Sequence, residues 1–303
     1  MNIQVRPFVR SDRDQLTTLI NAHVGAVIPN VSVSVNTLMS QLEREPGEFL
    51  VDPWVQERST LVAVQRARVV AAAHLLRYGA DEDVSESYRG AAEIRWLLCW
   101  PPAPYWPDSL AAGEALVSSC LAEVARWRPA AVFGSGDLPA PGVYGVPEQW
   151  SHIRDLYLGS GFLPRGDTEV VSVARIETLR RHLTRTTGLN LTAARSLGIN
   201  GTRISAIQED SVVGYIEIDT NLGAASRGTR TDDWADIGNL YVEPERRREG
   251  IGTWLLSHAA AWLDLGGVTR VLDYTESEDT GGLAFLDAVG FEILTRTERR
   301  FNR

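Results

Sequence analysis

Two short strings each occur twice in this chain, in the same order. Leu97-Leu98-Cys99-Trp100-Pro101 parallels Leu240-Tyr241-Val242-Glu243-Pro244, and Leu156-Tyr157-Leu158-Gly159-Ser160-Gly161-Phe162 parallels Phe285-Leu286-Asp287-Ala288-Val289-Gly290-Phe291. The first reads as an apolar strand stopped by proline, which has no amide to continue a ladder. The second reads as the end of a helix, closed by glycine in the manner of a C-cap. A period this long exceeds that of any solenoid repeat and marks a duplicated domain. The 303 residues suffice for two domains of ordinary size. The expected division is residues 1–170 and 171–303, with the boundary inside 165–180.

The elements between these strings recur as well. In the first half, Ile3 to Phe8 alternates like a strand and Ser11-Asp12-Arg13-Asp14 reads as a helix cap. Thr60 to Gln65 and Val69 to Leu76 predict two strands around a turn at Arg66-Ala67-Arg68. A strand over Glu93 to Trp100, a helix over Ser109 to Trp127 and a short strand over Ala130 to Phe133 follow. Gly134 to Pro147 is a Gly/Pro-rich loop, and Trp150 to Leu158 a second helix. The second half repeats this order. A hairpin joins Arg203–Gln208 to Val212–Asp219, followed by a strand over Asp236 to Val242 and a helix over Gly250 to Leu265. Leu255, Leu256, Ala259, Trp262 and Leu263 form that helix's apolar face. A strand over Val268 to Tyr274 and a helix over Gly282 to Val289 complete the set. Thr186 to Thr202, rich in Gly, Thr and Asn, carries no clear period. Strands and helices in this alternation imply an α/β fold.

Composition removes several function classes. A net charge of -9 argues against a nucleic-acid backbone or an anionic membrane as partner. Cys99 and Cys120 fit neither a disulfide framework nor a zinc site, and the five histidines show no ligand spacing, so no metal is expected. Two buried, reduced thiols in a cytoplasmic protein is the expectation. The N-terminal residues lack the apolar stretch of a signal peptide, and the apolar run from Val69 to Leu76 is too short to span a bilayer.

The chemistry is carried by Arg247-Arg248-Glu249-Gly250-Ile251-Gly252, just after a strand and at the start of an amphipathic helix. Glycines let the backbone turn and approach a ligand closely. The amides of a first helical turn have no partner within the helix, and the helix dipole favours negative charge there. The natural guest is a phosphate or pyrophosphate. The string lacks the third glycine of a dinucleotide-binding fingerprint and the Gly-Lys-Ser/Thr of a Walker loop.

Read from Val242, the segment is V-x-P-x-x-R-R-x-G-x-G-x-x-L-L, which resembles the acetyl-CoA motif of the Gcn5-related N-acetyltransferase (GNAT) superfamily. Ala284 to Phe291 resembles the last helix and strand start of the same family. The resemblance covers most of residues 170–303 and, less distinctly, 1–165. It implies two tandem GNAT folds, each a mixed, mostly antiparallel sheet flanked by helices, of a type that includes mycothiol synthase-like proteins. It further implies that the backbone of Leu240, Tyr241 and Val242 pairs with the pantetheine arm of acetyl-CoA, as an added strand would. Arg247, Arg248, Glu249, Gly250, Ile251, Gly252 and Thr253 are expected to cradle the pyrophosphate, and Asp279 stands where the family often has a cofactor-side asparagine. A backbone N–H near Val242 is expected to bind the thioester oxygen.

Aligning Pro101 with Pro244 and Gly113 with Gly252 tests the first copy. Ala111 then replaces Gly250, Asp108 replaces Arg247, and the intervening loop carries Pro104, Tyr105, Trp106 and Pro107. An acid in place of a base, and prolines in place of amide donors, work against a phosphate. Yet Tyr157, in this copy, stands where many family members hold a tyrosine general acid, and the second copy has Leu286 there. The implied reaction is direct attack of an amine on the thioester, which needs a group to take a proton and one to give it. Tyr274, Glu217 and Asp236 are the candidates, with Asp219, Asn239 and the Thr231-Asp232-Asp233-Trp234 loop nearby. The expected protein is a monomeric or homodimeric N-acetyltransferase acting on a small-molecule or peptide amine. The alternative is a non-catalytic acyl-CoA-binding or regulatory protein.

Overall fold

The computed structural model describes residues 3–44, 52–101, 106–181, 189–220 and 233–303. They form two compact units. The first contains the described residues up to Thr168 together with Thr295–Arg303, and the second those from Glu169 to Leu294. The contiguous division expected from sequence thus differs at the C-terminus, where the last residues pack with the first unit.

Unit 1 begins with β1 (Gln4–Pro7), α1 (Arg13–Val27) and α2 (Val35–Glu43). Then come β2 (Val55–Gln65), β3 (Arg68–Tyr78), β4 (Ala92–Cys99), α3 (Ser109–Trp127) and β5 (Val132–Gly134). β6 (Val146–Pro147), α4 (Ser151–Gly159) and β7 (Leu163–Pro164) follow. Arg66 and Ala67, both at positive φ, make the tight β2–β3 turn. The chain's final strand, numbered β15 below, completes a seven-stranded sheet of order β1-β2-β3-β4-β5-β15-β7. It slots in through the pairs Phe301–Gly134 and Phe301–Pro164, with the Phe301 ring fully buried.

Unit 2 runs through β8 (Thr168–Arg175), α5 (Ile176–Arg180), β9 (Thr192–Gly198), β10 (Gly201–Gln208), β11 (Ser211–Asp219) and β12 (Trp234–Val242). It continues with α6 (Ile251–Leu265), β13 (Arg270–Glu276), α7 (Thr280–Val289) and β14 (Glu292–Glu298), and β15 (Phe301–Asn302) ends the chain. The sheet order is β14-β8-β13-β12-β11-β10-β9. The last residues of β14, already within unit 1, pair with β6.

Among the described pairings each sheet is mostly antiparallel with one parallel pair, β4–β5 in unit 1 and β12–β13 in unit 2. Leu255, Leu256, Ala259 and Leu263 of α6 are buried, as the apolar periodicity predicts, each leucine worth about 1.5–3 kcal/mol, while Trp262 of the same face is half-buried. They pack against Ile216 and Ile218 of β11 and Ile237 of β12 in one core, with Leu286 and Val289 of α7. α4 and α7 end alike. Gly161 and Gly290 take positive φ, and the next amide closes back on Tyr157 O at 3.1 Å in one helix and on Leu286 O at 3.0 Å in the other. Gly113 and Gly252 are equivalent too. A Cβ on Gly113 would lie 2.6 Å from Leu156, and one on Gly252 would lie 3.2 Å from Phe285, so each lets two helices approach.

The change of unit at Thr168/Glu169 falls within the segment expected to hold the boundary, and Thr168–Arg175 of that segment form the interior strand β8 of unit 2. Val170 and Val171 are fully buried, and the strand pairs with β13 along its whole length. Cys99 and Cys120 are both buried and unbridged, with burial pushing the Cys99 thiol up to about 12.

Candidate functional site

The Gly-rich segment of unit 2 has the geometry of an anion cradle. Arg248 and Gly250 both sit in the left-handed region, at φ 69° and 88°. An L side chain is strained there, which explains the glycine at 250. α6 starts at Ile251, and its first intrahelical bond runs from Trp254 N to Gly250 O at 3.0 Å. The amides of Ile251, Gly252 and Thr253 are therefore available at the helix N-terminus. The Ile251 side chain is buried in the core, so only its backbone faces the loop. Arg247, Arg248, Glu249 and Gly250 are exposed. Arg247 Nε donates to Val242 O at 3.3 Å, and Glu249 pairs with Arg246 at 2.9 Å. Asp279 caps α7 by accepting from Gly282 N at 2.8 Å.

β12 and β13 are paired only over Trp234–Asp236 and Arg270–Leu272. Beyond that point the strands part. Leu240, Tyr241 and Val242 keep their bonds to β11 on one edge, and among the described residues their other edge has no partner strand. This open edge is what an extended pantetheine arm requires. The splay is helped by a bulge. Glu217 faces Asn239 and Ile218 faces Ile237, so Gly238 is the extra residue, and it is exposed.

Three carboxylates sit on the neighbouring strands β11, β12 and β13. Asp236 and Tyr274 meet directly, with Tyr274 Oη donating to Asp236 Oδ2 at 3.0 Å. Ala235 and Ile237 point into the core beneath α6, so alternation puts Asp236 on the opposite face. Glu217 is buried and bonded to Arg203 at 2.5 and 2.8 Å and to the amides of Ile199 and Asn200 at 3.3 Å. Burial alone would raise its pKa, but these donors outweigh it and hold the carboxyl below its usual range. It secures the β9–β10 connection. Asp273 is the third, on the first residue of β13 past the paired stretch. It shares the core face with Val271, is buried, and accepts from Thr275 Oγ1 at 2.7 Å. Burial, with Asp279 and Glu169 nearby, pushes its pKa up to about 6. Thr231 and Asp232 lie outside the described residues.

The acetyltransferase (GNAT) family model matches residues 177–291. Unit 2 is a GNAT domain. No functionally curated protein matches the chain in sequence. Among solved structures, a tandem GNAT protein from the clavulanic acid biosynthesis pathway aligns over 100% of this chain and 98% of its own, at 14% identity and TM-score 0.63. A glucosamine N-acetyltransferase region of a fungal multi-domain GH3 β-N-acetylglucosaminidase aligns over 99% of this chain and 38% of its own, at 13% identity and TM-score 0.61. A GNAT protein of Sphaerobacter thermophilus aligns over 99% and 95%, at 14% identity and TM-score 0.53. These likenesses extend the GNAT fold over both units, giving the tandem arrangement expected from the repeat. They do not reach the finer resemblance to mycothiol synthase-like proteins.

Within this tandem GNAT fold, unit 1 differs from unit 2 at the entrance to α3, between its parallel strands and at Tyr157. At the start of α3, Asp108 accepts from Gln65 Nε2 at 3.0 Å and Trp106 donates to Gln65 Oε1 at 2.5 Å, so side chains occupy the helix entrance. Pro102 to Tyr105 lie outside the described residues. The parallel contact of β4 and β5 continues, with Ser135 N donating to Ile94 O and Asp137 N to Arg95 O. Tyr157 is fully buried, donates to Ser135 O at 2.7 Å and stacks on Phe301 at 5.2 Å. Its hydroxyl braces the closed strands.

Asp273 and Gly238 are the site residues that sequence reasoning did not single out. Asp273 had a visible signal, being the one carboxylate in the apolar strand Val268 to Tyr274. Gly238 had none, since a bulge depends on the partner strand's register.

Proposed function

We propose that unit 2 transfers an acetyl group from acetyl-CoA to an amine by direct attack on the thioester. The observation that carries this reading is the parting of β12 and β13 after Asp236 and Leu272, in a unit whose α6 opens on Arg248 and Gly250. Positive φ at Gly250, three first-turn amides and exposed arginines suit a pyrophosphate. Bound there, acetyl-CoA supplies an activated acyl thioester.

The residues of the chain then divide the work by face. Asp236, positioned by Tyr274 Oη, takes a proton from the amine on the face away from α6. Such an amine has a pKa of ~10 and is mostly protonated at neutral pH, so a base is needed. A backbone amide near Val242 steadies the developing charge on the acyl oxygen. Asp273, on the face shared with α7, returns a proton to the leaving thiolate, the role for which Leu286 has no group. A pKa near 6 keeps part of this carboxyl protonated near neutrality. Glu217 is assigned to structure, because using it as a base would release Arg203.

The acceptor is an amine of a small molecule or peptide. The glucosamine acetylation named for one structural neighbour makes amino sugars a sensible first group to try. The test is an amine panel incubated with acetyl-CoA, followed by thiol release and intact mass of the product. A mass gain of one acetyl group, lost in Asp236→Asn, is expected. A second reading, a non-catalytic acyl-CoA-binding protein, rests on Leu286. Tight acetyl-CoA binding without acetylated product from any amine would establish it instead.

A further inference from the structure

The sheet face of unit 2 that carries Asp236 continues past the bulge. Leu240 and Val242 pack against the core beneath α6, so Asn239 and Tyr241 share the face of Asp236. On β11, Ile216 and Ile218 lie in the same core, which puts Tyr215 and Glu217 on this face too. Three side chains from successive strands are layered here. The Arg203 guanidinium of β10 lies over the Tyr215 ring of β11 at 4.2 Å. The Tyr215 ring is 5.5 Å from the Tyr241 ring of β12, at 32° between planes. β12 is the strand that borders the gap, so Tyr241 is the outermost layer, and it is 40% exposed.

A cross-strand pair of tyrosines can serve the sheet alone. What surrounds this pair points further. Asn239 Nδ2 donates to Tyr215 Oη at 3.1 Å, and Arg203 holds Glu217 at 2.5 and 2.8 Å. Asn200 Nδ2 donates to Glu217 Oε2 at 3.2 Å and to Gly238 O at 3.4 Å. These polar groups are turned to one another, and the exposed Tyr241 ring stands beside them. A flat ring laid on Tyr241 adds one layer and buries apolar area on both partners. A sugar would seek hydrogen bonds from groups already engaged. The bond from Asn239 draws the Tyr215 hydroxyl toward a residue three positions beyond Asp236, on the order of 10 Å at ~3.3 Å per residue.

We propose that Tyr241, backed by Tyr215 and Arg203, is the platform for the acceptor, and that the acceptor is an amine joined by a short chain to an aromatic ring. The proposal rests on Asp236 as the base of acetyl transfer, which fixes where the amino end lies. The ring then lies along β12, on the face away from α6. Arg203 holds the inner tyrosine through its ring face, and Tyr215 in turn supports the outer one.

The probes are ω-phenylalkylamines of graded chain length and their ω-cyclohexyl analogues, which match them in length and bulk but are not flat. Each is measured on the full chain as kcat/KM with acetyl-CoA and, separately, as binding by ligand-observed NMR in the presence of CoA. At the best length the phenyl compound should exceed its cyclohexyl analogue ~3- to 10-fold on both scales, the worth of one aromatic stacking contact. Tyr241→Leu should bring that ratio close to unity, and Tyr241→Phe should keep it. The ratio is taken within one variant, so a change in acetyl-CoA affinity cancels. Equal binding of the two series, or none, overturns the platform whether or not any amine is acetylated. A preference that survives Tyr241→Leu overturns its place. Tyr241-dependent preference in binding with no acetylated product supports the platform and overturns the transfer reading instead, so the two failures are told apart.

Discussion

In both units the central strand bulges at the same point of the repeat. In unit 1, His74 faces Trp96 and Leu75 faces Ile94, so Arg95 is the extra residue. In unit 2 the extra residue is Gly238. Two residues earlier each strand carries an acid, Glu93 or Asp236, eight residues before its stop proline. Each acid accepts from a tyrosine, Tyr78 or Tyr274. The scaffold is thus the same, and the side chain on the bulge separates the two. Arg95 reaches Glu93 and Asp137, ties the loop after β5 to β4 and closes the unit around its own charges. Gly238 has nothing to reach with, and β12 and β13 stay open. A single duplicated frame therefore yields one unit built around an internal ion cluster and one built around a gap.

The harshest way to break this contrast is to remove the guanidinium. Arg95→Ala leaves Glu93 and Asp137 buried without their shared cation, and breaking such a cluster typically costs ~3–5 kcal/mol. Denaturant unfolding should show a loss of that size. A change within about 0.5 kcal/mol, the range of an ordinary surface substitution, would mean that Arg95 does not hold unit 1 together.

Next comes the Gly-rich loop of unit 2. Gly250→Asp places a side chain at φ 88° and a carboxylate against the first-turn amides. Acetyl-CoA affinity should fall ~100-fold or more, about 2.7 kcal/mol, with the chain still folded. Calorimetry on the parent protein should give one acetyl-CoA per chain, and two equivalent sites would erase the distinction between the units.

How far this contrast was legible in the sequence differs from place to place. The duplicated strings carried the tandem fold, because a strand stopped by proline and a helix stopped by glycine are local chemistry. The loop at Arg247–Gly252 was legible for the same reason, since glycines at the entrance to a helix mark a local turn in the sequence itself. β8 was hidden. The boundary expected near 165–180 falls at Thr168/Glu169, but that the residues just after it form an interior strand shows only in their pairing with β13. β15 was hidden likewise, two residues whose neighbours lie far away in sequence. Among the acids, Glu217 looked available because sequence cannot show Arg203 and the Ile199 and Asn200 amides closing on it. The bulges were invisible, and with them the meaning of Arg95 against Gly238.

Asp273 offers a smaller effect with a definite sign. Its ordinary value is 3.8 and in the folded protein it is pushed up to about 6. Below about pH 4 both states hold the proton. Between there and about pH 6 the unfolded chain gives it up first, so the contribution of this proton to stability falls as pH rises through that window and is gone above it. The difference between 3.8 and about 6 corresponds to about 3 kcal/mol. Asp273→Asn should recover about that much at pH 8 and flatten the profile between pH 4 and 6. The same variant should slow acetyl transfer if Asp273 returns the proton. Gain in stability with loss of turnover is the paired signature, and unchanged turnover would leave thiolate protonation to water.

The mildest change sharpens the contrast most, because it touches the residue that resemblance alone would make catalytic. Tyr157 stands at the family's usual tyrosine position, but in the unit without the cradle, and its hydroxyl is donated to Ser135 O at 2.7 Å within a fully buried setting. Tyr157→Phe keeps the ring stacked on Phe301 and removes one hydrogen bond. The cost should be about 1 kcal/mol, read as a small fall in Tm. Acetyl transfer should be unchanged, since a hydroxyl fixed to a backbone carbonyl in unit 1 has no proton to spend on a thiolate in unit 2. If Tyr157→Phe lowers turnover ~100-fold with acetyl-CoA affinity intact, it takes part in the chemistry as a general acid would. The division of the chain into a closed unit and a reacting one would then have to be abandoned.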